Sequence, residues 1–336
     1  MITRTSILAS LLLGAQAFAG TATVASAPEQ TTLVAPEENF FSGSFTAAYT
    51  TNYTGRGLVP SRIGMQGEGA EILALKLKHD FNNKWSWNTV LAYTISSSGH
   101  SLYGLEHATV SPDSPLLPGL AGAPVTQLHD MNPQLPDINE MNIENEFVVS
   151  NEIRYSEEKW SLGFGHDFVH GGLLGVMSKH FAHNSRSYVN EFFLSPEYSP
   201  YKWLTLACPI RYSFDGIKGW WFEPSVTFKA PVIGTPDDMK MAALLSFNIS
   251  ATGDYFQDYH GASANGTQAF WIKLATPYFV NEAKSFVITP SVSFNWCGKG
   301  AIKANENAAL VPLAGDAYVP FQNFQVVGQL SCTYVF

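Results

Sequence analysis

The chain has 336 residues, 46% of them hydrophobic and 13% aromatic, but only 14% charged, with a formal net charge of -9. So few Lys and Arg on an acidic chain exclude nucleic acid as a partner, because that binding needs a basic surface to displace counterions from phosphate. Cys208, Cys297 and Cys332 are too few and too scattered for the disulfide framework of an exported protein, and none sits in a CxxC pair; they read as small apolar fillers.

The first residues, MITRTSILASLLLGAQAFAG, carry one positive charge at Arg4, an apolar run from Ile7 to Ala15 and the small-x-small triplet Ala17-Phe18-Ala19. This is the pattern of a secretory signal peptide, residues 1–19, cleaved after Ala19. Its apolar core is about half the roughly 20 residues that a spanning helix needs. Residues 20–38 are small, polar and Pro-containing, with no apolar period, and are expected to form a flexible periplasmic tail.

From residue 39 to 336 the texture changes to about twelve strand-like segments, with ten to fourteen compatible with the pattern. In the first, Phe41, Gly43, Phe45, Ala47, Tyr49, Thr51 and Tyr53 share one face, while Ser42, Ser44, Thr46, Ala48, Thr50 and Asn52 share the other. The second alternates Leu73, Leu75, Leu77 and Phe81 with Lys76, Lys78 and Asp80; the third alternates Trp85, Trp87, Leu91, Tyr93 and Ile95 with Ser86, Asn88, Thr94 and Ser96. Further segments run through 142–156, 160–169, 187–198, 203–215, 220–231, 240–252, 268–278, 285–297 and 323–336. His79 and Asn190 fall on nominally apolar faces, and Pro290 interrupts an otherwise regular strand.

One apolar and one polar face on every strand, with no apolar run long enough for a membrane helix, predicts an all-β, closed antiparallel transmembrane β-barrel. The connections agree. Those near Asn82, Glu157, Ser199, Gly234 and Asn281 are short, whereas those through 55–69, 99–141, 171–186, 255–267 and 298–322 are long; the turn near Gly216 breaks the rule. Bacterial barrels alternate short periplasmic turns with longer external loops, so both termini are expected in the periplasm. Aromatic girdles are expected at Phe81, Trp85, Trp87, Trp160, Tyr198, Tyr201 and Trp203 on one side and at Trp220, Trp221, Phe222 and Trp296 on the other.

The last strand, FQVVGQLSCTYVF, ends in Phe336 with Tyr334, Cys332, Leu330, Gly328, Val326 and Phe324 alternating behind it. It resembles the C-terminal signature of bacterial outer-membrane β-barrel proteins. The resemblance implies an outer-membrane location, contact with lipid and lipopolysaccharide, and an assembly signal at Leu330, Tyr334 and Phe336 read by the barrel-assembly machinery. At the first hairpin, AYTTNYTGRGLVPS is similar to the SDYVFRGIS stretch of the TorF-like porin family, with Tyr53, Arg56 and Gly57 as the matching positions and Thr54-Gly55 departing from its larger apolar residues.

Expected lumen-facing charges are Lys76, Lys78, Asp80, Glu144, Glu146, Glu152, Arg154, Glu191, Arg211, Glu223, Lys229 and Lys273. Mixed signs suit either a water-filled, weakly selective pore or a lumen filled by its own side chains. His166, Asp167 and His170, with His180 and His183, could suggest a metal or a rim hydrolase. On one extended strand, however, His166 and His170 would lie about 13 Å apart, and no GxSxG or HExxH frame is present. The expected function is therefore a non-enzymatic, porin-like passive channel for small polar solutes, without cofactor or metal. The alternatives are a surface anchor whose external loops bind a partner and, behind it, a rim-located hydrolase. The 99–141 loop, with Pro112, Pro115, Pro118, Pro124, Pro133 and Pro136, could fold into the barrel as a constriction, contact a partner or shield the rim. Oligomeric state leaves no trace in the composition.

Overall fold

The computed structural model describes residues 41–51, 69–96, 145–171, 188–215, 218–236, 238–253, 266–299 and 324–336. The leader, the tail, Tyr53, Arg56, Gly57, Glu144, His180, His183 and the 99–141 loop lie outside the described residues.

Period-two segments become strands β1 (Phe41–Thr50), β2 (Ala70–Asp80), β3 (Trp85–Ser96), β4 (Glu146–Ser156), β5 (Trp160–His170), β6 (Tyr188–Tyr201), β7 (Leu204–Ala207), β8 (Ile210–Asp215), β9 (Gly219–Phe222), β10 (Ser225–Gly234), β11 (Met239–Gly253), β12 (Gly266–Ala275), β13 (Tyr278–Phe279), β14 (Phe286–Cys297) and β15 (Phe324–Val335). Every pairing is antiparallel, and β1 pairs with both β2 and β15.

Three pairs of strands are single staves interrupted at a proline. Pro209 separates β7 from β8, Pro224 separates β9 from β10, and Pro277 separates β12 from β13. The register runs through each gap: Ala207 opposes Ser225 and Ile210 opposes Phe222, so the intervening residues still face one another in step. Merging these pairs gives the twelve-stave closed barrel. Closure matters because a sheet edge left open in lipid would strand a row of backbone groups without partners.

Pro196, Pro209, Pro224, Pro277 and Pro290 sit within this wall and each lacks the N–H that its ladder position requires. Each still accepts one bond, from the amides of Cys208, Glu223, Ile249, Ala242 and Thr276 respectively, at 2.9–3.2 Å. Five consecutive junctions between β6 and β14 therefore hold half of one ladder pair. Pro290 bends the expectation only locally, since β14 continues through it with its ring on the outer face.

The wall closes where the chain ends. Gly43 and Phe336 exchange backbone bonds at 2.9 and 3.0 Å. A Cβ on Gly43 would lie 2.8 Å from the Phe336 ring, so glycine makes the bed in which that ring lies. At the short-turn rim, Trp85, Tyr155 and Trp160 form a chain of rings 4.9 and 5.4 Å apart, and Tyr201 stacks on Trp203 at 5.2 Å. Lys84 ties two turns together through Glu157 at 2.6 Å. Their hydrogen bond raises the Lys84 ammonium above its ordinary value and holds the Glu157 carboxyl below its own. One girdle expectation is corrected: Trp220 faces out, but its neighbour Trp221 points into the barrel and is fully buried, because adjacent strand residues face opposite ways.

Candidate functional site

Strand parity decides what enters the lumen. Lys76, Lys78, Asp80, Glu146, Glu152, Arg154, Glu191, Arg211, Glu223, Lys229 and Lys273 all occupy inward positions. Sequence reasoning missed two more acids, Asp167 and Glu197, which a count of two along β5 from Gly165 and along β6 from Glu191 places on the same face.

The inward acids and arginines form two networks. In the half nearer the short turns, Arg154 grips Glu152 with Nη2 and Nε at 2.6 and 3.0 Å. Such a two-point fork is the strong form of this ion pair. Arg154 also donates to Ser161 Oγ at 2.7 Å and Ser195 Oγ at 2.9 Å, and the Ser195 hydroxyl donates to Glu152 at 2.6 Å. Glu197 stands 3.9 Å from the same guanidinium. Room for this network comes from Gly163, where a Cβ would lie 1.9 Å from Glu152 Oε1.

Higher in the barrel, Arg211 donates to Glu223 Oε2 at 2.5 Å and Asp167 Oδ2 at 3.3 Å, with Glu191 at 3.8 Å. Its guanidinium lies over the Phe193 ring, 5.6 Å from the centroid, and Phe193 is admitted by Gly165, whose Cβ would stand 2.3 Å from that ring. On the facing wall Lys273 donates to Gln329 at 3.1 Å, while at the rim Lys78 pairs with Asp80 at 3.1 Å.

These charges are not rinsed by bulk water. Arg154 is 2% and Arg211 1% exposed, and the inward Trp221, opposite Arg211, is fully buried. Below β11, β13 and β14, Met239, Ala242, Leu244, Ala275, Phe279 and Val287 form an apolar cluster inside the short-turn end. Among the described residues the interior is thus a largely buried polar lining.

The histidine expectation resolves by parity. His166 and His170 face outward, whereas Asp167 between them faces inward to Arg211, so no His–Asp dyad forms on β5. Among the described residues no group of His, Cys, Asp or Glu is arranged to hold a metal ion.

The exterior is apolar, with aromatic rims, and the interior is polar and charged. This twelve-stave architecture defines an outer-membrane β-barrel protein. No known protein family matches the chain, and no curated protein matches it. Among solved structures, the chain is similar to the KdgM porin in complex with disordered oligogalacturonate, at 9% identity over 88% of this chain and 99% of that one, with a TM-score of 0.40. It is similar to an outer membrane channel from Pseudomonas putida F1, at 9% identity over 90% and 100%, with a TM-score of 0.44. It is also similar to LpxR from Salmonella typhimurium, at 8% identity over 87% and 100%, with a TM-score of 0.39. Likeness at this level adds nothing to the reading of the residues.

Proposed function

We propose that the protein is a porin-like passive channel for small polar solutes, exported through a cleaved leader and inserted among outer-membrane lipid and lipopolysaccharide by the barrel-assembly machinery. The observation that carries this reading is the inner face: staves from β2 to β15 turn charged or hydrogen-bonding side chains inward. A barrel needing only to be solid could fill itself with aliphatic side chains, as its short-turn end partly does. Charge kept inside a membrane protein is costly and marks solute paths. The density of the Arg154 and Arg211 networks limits passage to small solutes.

The same density favours one competing reading, a surface anchor with a closed barrel, since side chains under a tenth exposed leave little free lumen around them. Planar-bilayer recording of the refolded chain from Gly20 to Phe336, with a heat-denatured control, separates the two. Discrete conductance steps support the channel. A folded barrel that stays electrically silent overturns it and leaves the anchor.

A further inference from the structure

Polar side chains on the outside of a membrane barrel face hydrocarbon, which offers them nothing to bond. Here they form a connected row. On the outer face of β3 and β4, the Thr89 hydroxyl donates to Asn151 Oδ1 at 2.8 Å. Asn151 is directly opposite His166 on β5. His166 Nε2 is 3.1 Å from Asn190 Oδ1 on β6, and the Asn190 amide donates to Asp215 at the end of β8 at 3.4 Å. Thr89, Asn151 and His166 lie at the middle of their strands, far from either rim, and all are half-exposed.

The row is bonded in two pieces, Thr89 to Asn151 and His166 through Asn190 to Asp215, which meet in register at Asn151 and His166, and it is not spent. Among the described residues the Asn151 amide N–H groups make no bond, and the neutral His166 ring, which donates Nε2–H to Asn190, keeps an acceptor nitrogen to spare. Leaving such donors in lipid tails is unfavourable, and a wall that also carries matching acceptors relieves it. The row itself offers both kinds, the Asn151 amide donors toward one end and the Asp215 carboxylate at the other. Around it lies a flat slab of rings, with Phe192 stacked on Phe214 at 4.7 Å and the His166 ring 5.6 Å from Phe192. Aromatic ground with a half-exposed polar seam is the composition of a protein contact rather than of a lipid one.

We infer that the outer wall of β3–β8 is a self-association surface, seating the same wall of a second copy of this chain. A closed assembly built on one self-complementary patch satisfies the polar row of each copy with that of the other. Nothing in this inference depends on whether the lumen conducts.

Native mass spectrometry of the refolded barrel, released from mild detergent, tests it. Assemblies of two or more chains are expected for the wild type. Replacing Asn151 and Asn190 together by Leu is expected to shift the equilibrium about tenfold toward monomer, with the heat-sensitive gel mobility of a folded barrel retained. Because that variant could fail to fold, Phe192→Cys and Val326→Cys are compared in vesicles, with Cys208, Cys297 and Cys332 replaced by Ala. Oxidative cross-linking at Phe192→Cys but not at Val326→Cys supports the surface. A monomeric wild type, or cross-linking that is equal at the two positions, overturns it.

Discussion

The guanidinium of Arg154 makes four hydrogen bonds to Glu152, Ser161 and Ser195, all of them buried. Replacing it with Met would strip Glu152 of both guanidinium bonds while leaving the carboxylate inside the barrel. Breaking a buried pair from one side costs about 3–5 kcal/mol, and the midpoint of urea unfolding from lipid vesicles should fall accordingly. Gly163 is the counterpart on β5. A valine there would drive its Cβ to within 1.9 Å of Glu152 Oε1, and overpacking of this sort costs about 1–3 kcal/mol. An unchanged midpoint for Gly163→Val would mean that the network can move aside, and the glycine would lose its assigned part. The exposed pair of Lys84 and Glu157 makes the contrast: solvent and salt screen it, so Lys84→Ala should leave the midpoint where it is.

At the scale of elements, five junctions between β6 and β14 each lack one proline N–H, whereas β2 to β5 pair without interruption. Amides facing these prolines belong to pairs held by one bond instead of two, so local opening should be easier there. Hydrogen exchange in detergent should show Cys208, Glu223, Ile249, Ala242 and Thr276 exchanging faster than the mid-strand amides of β3 and β4. Equal protection would show that packing, not bonding, sets the opening energy of this wall. The prolines were visible in the sequence, but not which neighbour each one starves, because that depends on register. The same limit explains the other gaps. Period-two alternation in FSGSFTAAYT is enough to assign both faces of β1, and the alternation of short and long connections is enough to order the staves. Glu197 was legible two steps at a time from Glu191, and Trp221 by its adjacency to Trp220, once parity was followed strictly. The room that Gly163 leaves for Glu152, and the outward row from Thr89 to Asp215, join residues on different strands, 11 to 62 positions apart; no single strand contains them.

For the whole molecule, closure and charge meet in the lumen. Lys273 is an inward cation held by one hydrogen bond, to Gln329, outside both arginine networks. Its neutralisation is therefore the mildest way to alter the interior field, since no carboxylate among its hydrogen-bond partners is left exposed to burial. If solutes cross the barrel, Lys273→Gln should shift the reversal potential under a salt gradient toward cation preference, while Glu146→Gln, on the opposite wall, should shift it toward anions. The two shifts have opposite signs because each removes a charge of opposite sign from the same path. A change in bilayer leakiness caused by partial unfolding would move both in the same direction. A conducting protein whose reversal potential ignores both substitutions would place the conducting path away from these inward side chains, because a field that acts within a narrow, partly desolvated lumen is poorly screened by salt.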